Sequence, residues 1–183
     1  MKSVLITIRP QWVEKIASGE KTIEVRKTAP KCEVPFKCYI YETQGQYVKF
    51  THGAHTKYGY GRGKVIGEFI CDKVYSIKNR GSSFSVADEE QSVTNEIARQ
   101  SCLYYDDMVS YFGNKDGFGW HISDLKIYDT PKELSEFCIP CKVSCENCKN
   151  PLYFECWCEE KGKKIVTRPP QSWCYVEDLG EEK

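Results

Sequence analysis

The sequence contains no stretch of about 18 consecutive apolar residues, which excludes a membrane-spanning helix. It also carries no net charge, because 26 Lys and Arg balance 26 Asp and Glu. Its first apolar run, residues 4–8, is too short for a secretory signal, so a cytoplasmic protein is expected. No internal repeat and no Ser-His-Asp arrangement can be assembled from it. The Gly59-Tyr60-Gly61-Arg62-Gly63 run opens no helix, which removes a dinucleotide-binding reading. What is present argues for a folded chain: 40% hydrophobic and 13% aromatic residues exclude disorder. A length of 183 residues suits one domain with a small appendage.

Neutrality conceals an asymmetry. Residues 1–64 carry 12 basic and 5 acidic side chains, and residues 65–183 carry 14 and 21, so the chain is a charge dipole along its sequence. Overall balance tells against indiscriminate nucleic-acid binding, whereas the positive first third favours a localised basic cleft.

Residues 4–8 predict a β-branched strand, and residues 10–19 a helix with Pro10 in its first turn and Gly19 past its end. Trp12, Val13, Ile16 and Ala17 fall on one face of that helix, which is expected to be buried. Residues 22–26 alternate as a strand, with Ile23 and Val25 on one side and Thr22, Glu24 and Arg26 on the other. Further strands are predicted at 36–42, 63–77, 118–128 (ended by Pro131) and 172–176, and helices at 92–102 and 104–112. Residues 43–63 read as a Gly-rich loop and 79–90 as a polar linker. Strands with an early helix and a central helical insert predict a small α+β barrel.

Three groups of residues point to chemistry. The first is Lys21, Glu24 and Arg26, at the helix-to-strand junction, where Gly19 lets the backbone approach a ligand. Arg26 offers a planar donor fork for phosphate or a base edge. Lys21 offers a point charge, or a general base if desolvated. Glu24 offers acceptors for an exocyclic amine. As a plain solvated face, Glu24 and Arg26 would form a surface pair worth roughly 0–1 kcal/mol.

The second group lies in residues 43–67, which contain no Asp or Glu. Tyr58, Tyr60 and Arg62 stand there among glycines, in a pattern suited to stacking bases and following phosphates of single-stranded RNA, or to an ordinary hairpin. The third is the cysteine cluster. Seven of the eleven cysteines lie between Cys138 and Cys174. In a reducing compartment a disulfide framework is not expected. Cys145-x2-Cys148 followed by Cys156-x-Cys158 has the spacing of a four-thiolate structural zinc site, with Cys138, Cys141 and Cys174 as alternates. The earlier Cys32, Cys38, Cys71 and Cys102 read as small buried hydrophobes.

Gly19-Glu20-Lys21-Thr22-Ile23-Glu24-Val25-Arg26 resembles the G-x-K-x-x-E-x-R signature of the ASCH domain, a PUA-like β-barrel family. Arg9-Pro10, Gly119-Trp120-His121-Ile122-Ser123-Asp124 and Lys126-Ile127-Tyr128-Asp129-Thr130-Pro131 are similar to the same family, in the style of its bacterial and phage members. The resemblance covers residues 1–137 and the last strand. It implies an RNA- or nucleobase-binding cleft at the signature; taken with the residue patterns above, Gly19, Lys21, Glu24, Arg26, Tyr58, Tyr60, Arg62 and Trp120 are the expected ligand-binding residues. Some relatives hydrolyse an acyl group from a modified cytidine with a Lys, a Thr and a Glu. Lys21 falls on the Lys position, Glu24 replaces the Thr, and the helix that carries the Glu offers Ser101 or Cys102. If the chain is an enzyme, Lys21 and Glu24 are therefore the catalytic candidates, in a hydrolase acting on modified nucleosides or RNA. The domain expectation is a PUA-like barrel over 1–137 and 165–178, with a zinc knuckle over 138–164. A protein-interaction domain using the acidic C-terminal part is a third possibility.

Overall fold

The computed structural model describes residues 2–49, 57–81, 83–140 and 164–180. Among these, three helices accompany eleven strands. The chain opens with β1 (Lys2–Ile8), α1 (Pro10–Ala17), β2 (Ile23–Arg26) and β3 (Phe36–Glu42). β1 and β3 pair in parallel, with Val4 opposite Cys38 and Ile8 opposite Glu42. A parallel pair needs a crossover, and α1 with β2 supplies it.

β4 (Gly45–Lys49) and β5 (Lys57–Gly61) form a separate hairpin. The described residues of the loop expected over 43–63 are therefore largely paired strand, because its glycines permit close packing as well as flexibility. A Cβ at Gly61 would overlap the Thr43 carbonyl and lie 2.5 Å from Cγ of Pro10, so the absent side chain lets the hairpin lie against the start of α1.

β6 (Val65–Cys71) and β7 (Val74–Asn79) replace the single strand predicted over 63–77. In the same way β9 (Gly117–His121) and β10 (Ser123–Lys132) replace the one predicted over 118–128. β6 pairs with β10 and β7 with β9, so one two-stranded ribbon bends at Asp72-Lys73 and Ile122 and passes from one sheet to the other. The five-stranded sheet has the order β10-β6-β3-β1-β11, and the four-stranded sheet the order β2-β9-β7-β8. None of the three sheets closes on itself, so the described fold is a pair of open sheets sharing a bent ribbon where a closed barrel was expected. β8 (Phe84–Val86), with Phe84 and Val86 buried, lies inside the supposed polar linker. β10 also runs through Pro131, which was expected to end it.

α2 (Gln91–Ser101) and α3 (Tyr105–Phe112) follow β8. Asp107 Oδ2 accepts from the Tyr104 N–H at 3.1 Å and secures the start of α3, while Gly113, at φ 59°, ends it. Met108 and Phe112 of α3 pack with Ile97 of α2 on Ile23 and Val25. Val109, expected on that buried face, is exposed. β11 (Trp173–Glu177) completes the large sheet beside β1.

The large sheet is covered on both faces. Val4, Ile6 and Ile8 pack with Val13 and Ile16 of α1, Phe69 and Trp120. Leu5 points the other way, among Tyr39, Val65, Phe137 and Val176. Cys38 and Cys71 are buried as expected, but Cys32 and Cys102 are only half-buried, and Ala17 is exposed. The expected zinc ligands Cys145, Cys148, Cys156 and Cys158, with most of the 138–164 appendage, lie outside the described residues. No described helix is long and apolar enough to cross a membrane.

Candidate functional site

The strand-to-strand crossover sets the end of β1 beside the end of β2. A cavity of about 840 Å³ opens there, lined by Thr7, Arg9 and Trp12 from the first strand and helix and by Lys21, Glu24, Arg26, Lys27 and Thr28 from β2 and its flanks. Leu103, Asp107, Ser110 and Tyr111, from α3 and the turn before it, line it as well, with Thr43 and Gln171-Ser172. This volume suits a small-molecule or single-nucleotide ligand.

The three polar residues of the signature are buried together. Lys21 is 2% exposed, Glu24 6% and Arg26 8%, which removes the solvated-face reading of Glu24 and Arg26. β2 does alternate as predicted, with Ile23 and Val25 against the helices. The opposite face is covered too, so all four of its residues are buried.

Lys21 Nζ donates to the carbonyls of Ile23 and Ser101, each at 2.7 Å, and lies 3.4 Å from Glu24 Oε2. An ammonium group has three protons, and three acceptors surround it. The Trp12 ring sits 5.4 Å away and adds a cation–π contact. Burial pushes the Lys21 ammonium below its ordinary value of 10.5, and Glu24 pulls in the opposite direction.

Glu24 Oε1 forms an ion pair with Arg26 Nη2 at 2.9 Å, so one carboxylate joins two buried cations. The same Nη2 donates to the Thr7 carbonyl at 2.6 Å and ties β2 to the end of β1. Arg26 Nε is buried without a hydrogen-bond partner. A buried donor left unpaired carries a desolvation cost of about 1–3 kcal/mol. Tyr111, whose hydroxyl burial pushes above its ordinary 10.0, stands beside this group, and Lys27 Nζ lies 5.1 Å from its ring centroid.

The other expected site residues are distributed differently. Trp120 is fully buried in the core. It pairs directly with Glu24 across β2 and β9 and so shares its sheet face, yet it does not line the cavity. Its Nε1, like Arg26 Nε, has no partner. Tyr58 and Tyr60 project from the hairpin, 56% and 73% exposed, and Arg62 follows them with an exposed side chain while its N–H donates to Glu42. None of the three lines the cavity, nor does Gly19, which adopts φ 76° after α1.

Ser101 and Cys102 do reach the Lys21 site, but neither brings a carboxylate. Ser101 contributes its main-chain carbonyl, its hydroxyl being donated to Ala98 O at 2.7 Å. Cys102 Sγ lies 3.4 Å from the Glu20 carbonyl. Thr7, Lys27, Thr28, Asp107 and Tyr111 were missed by sequence reasoning. Lys27 and Thr28 simply extend the signature, whereas Asp107 and Tyr111 arrive from a helix some eighty residues on, with no local signal to mark them.

Two sheets sharing a bent ribbon, with an early helix and a polar cavity at its start, give this chain the fold of ASCH domains. The crystal structure of ASCH from Zymomonas mobilis superposes with a TM-score of 0.56 over 96% of this chain and 87% of that one, at 16% identity. A point-mutant protein of the same ASCH gives 0.56 over 97% and 91%, at 17% identity. No protein-family model matches the sequence, and no curated protein matches it.

Proposed function

We propose that this chain is an RNA-binding module whose cavity takes one base or nucleotide of its ligand. The observation that carries the reading is the buried Lys21–Glu24–Arg26 chain in the cavity wall. Arg26 lines that cavity, and a guanidinium held in place by Glu24 and the Thr7 carbonyl presents a planar donor fork suited to an acceptor on a ligand, such as a base carbonyl or a phosphate oxygen. The lining also holds more cations than carboxylates, consistent with an anionic ligand. Exposed Tyr58 and Tyr60, with Arg62 beside them, supply a stacking surface for neighbouring bases. The Cys145, Cys148, Cys156 and Cys158 cluster belongs to the same proposal as a structural zinc site, since four thiolates leave no open position for chemistry.

The test is calorimetric titration with nucleosides, nucleotides and a short single-stranded RNA at several salt concentrations. Binding that weakens steeply with salt supports the module. Absence of binding by every one of these ligands refutes it.

A hydrolase acting on a modified nucleoside or on RNA is the second reading, favoured by the lowered pKa of Lys21. Against it, the Lys21 protons are already directed at two carbonyls and Glu24, as befits a retained ammonium. Turnover of an N-acylated cytidine or of RNA, abolished by Lys21→Met in a folded variant, would establish the enzyme.

A further inference from the structure

We propose that the ligand of the cavity ends in a phosphate monoester, held by Arg9 and Lys27 at the mouth while Arg26 meets the rest of the nucleotide; the proposal rests on the RNA-ligand reading above. The charged lining residues are Arg9, Lys21, Arg26 and Lys27 against Glu24 and Asp107, a surplus of two positive charges. Where the surplus lies is decided by pairing. Lys21 and Arg26 share Glu24. Asp107 is turned to the backbone N–H of Tyr104. Among the described residues Arg9 has no side-chain partner, and Lys27 has only the Tyr111 ring. The Lys21–Glu24–Arg26 chain itself keeps one positive charge, and the cations with no carboxylate partner are Arg9 and Lys27, both exposed.

Their positions are linked by the fold. Arg26 donates to the carbonyl of Thr7, so the residues that follow each strand, Arg9 after β1 and Lys27 after β2, line one cavity. Further donors face the same space. Thr28 Oγ1 accepts from Trp173 Nε1 at 3.0 Å, which leaves its own hydroxyl proton to donate. α1 begins at Pro10 with no side-chain cap, so the positive end of its dipole adds to the field near Arg9. Two free cations, a free hydroxyl proton and a helix start complement a phosphate monoester, which carries nearly two negative charges at neutral pH. They exceed what a neutral nucleoside or one singly charged diester requires.

Calorimetry on the full chain tests this with cytidine and uridine, their 5′- and 3′-monophosphates, and a dinucleoside monophosphate whose only phosphate is internal. The expected result is that at least one monophosphate binds about tenfold or more tighter than both its nucleoside and the dinucleoside monophosphate. Arg9→Ala and Lys27→Ala, each at an exposed side chain, should abolish that advantage, and a monophosphate preference that survives both would overturn the inference. If nucleoside and monophosphate bind alike, the inference fails while the RNA-ligand reading stands. If the dinucleoside monophosphate matches the monophosphate, the inference fails in favour of a continuous strand. If none of these ligands binds, the inference fails, and single-stranded RNA then decides the underlying reading.

Discussion

The ammonium nitrogen of Lys21 lies 2.7 Å from the main-chain carbonyl oxygen of Ser101, a residue eighty positions later. The link holds the end of α2 on the start of β2, and the Thr22 N–H donating to Gln100 O at 3.0 Å reinforces it. Because a backbone oxygen is the acceptor, the side chain at position 101 is irrelevant to this contact. Lys21→Met should leave two carbonyls and Glu24 without their shared cation and cost roughly 3–5 kcal/mol. Ser101→Ala should lose only the hydroxyl's own bonds, to the Ala98 carbonyl and from the Leu103 N–H, at about 0.5–1.5 kcal/mol each. Urea denaturation of both variants checks the contrast, and equal losses would contradict it.

The Tyr58 and Tyr60 rings project from β5 without lining the cavity, so base stacking there and ligand capture inside are separable. Replacing both tyrosines with Ala should weaken single-stranded RNA by about 1–3 kcal/mol per stack removed and leave mononucleotide affinity unchanged. Fluorescence anisotropy with labelled RNA, beside calorimetry with the mononucleotide, reads the two effects independently.

Asp178 anchors the chain after β11. Its Oδ1 accepts from the Tyr39 hydroxyl at 2.8 Å and the Gly180 N–H at 3.2 Å, with Lys37 Nζ at 3.3 Å. Burial alone would raise its carboxyl, but these donors outweigh it and hold the group below its ordinary 3.8. A depressed folded-state value means that the unfolded chain binds the proton more readily. The stability Asp178 contributes is thus complete above about 3.8 and is lost as pH falls through the lower folded value. Asp178→Asn should flatten the acid limb of a thermal-melting series between about pH 5 and pH 2, and unaltered curves would contradict the assignment.

A four-thiolate zinc site at Cys145, Cys148, Cys156 and Cys158 predicts close to one equivalent of zinc per freshly purified chain. Chelation should lower the melting temperature, and re-addition of zinc should restore it. Metal content well below one equivalent, without prior chelation, would contradict the site.

The sequence made the opening of the fold legible because its signals there are local. Pro10 and Gly19 bracket α1, the 22–26 alternation marks β2, and 36–42 coincides with β3. Lys21, Glu24 and Arg26 converge on one cavity because six residues of one turn and strand carry all three. The breaks at Asp72-Lys73 and Ile122 were not legible. Apolar residues of both parities flank them, as sheets covered on both faces require, so a one- or two-residue corner leaves no change of period to detect. β8 escaped notice since three residues are too few to alternate, although Phe84 and Val86 are both buried. Tyr111 was hidden for a different reason. Its partner Arg26 is remote in sequence, and helical spacing identifies the buried face through Met108 and Phe112 but not what the other face meets.

The ribbon that bends at Asp72-Lys73 and Ile122 also has a clasp. His121 Nδ1 meets Asp72 Oδ1 at 2.6 Å, and the His121 N–H donates to Lys73 O at 2.9 Å, so both strands are fastened together where they change sheets. The cavity has one wall from each sheet, β1 from the larger and β2 from the smaller, and Arg26 spans them. The two walls are therefore joined twice, by Arg26 at the cavity itself and by a crease far along the chain. A change at the His121–Asp72 clasp thus bears on how the sheets that carry the site are held.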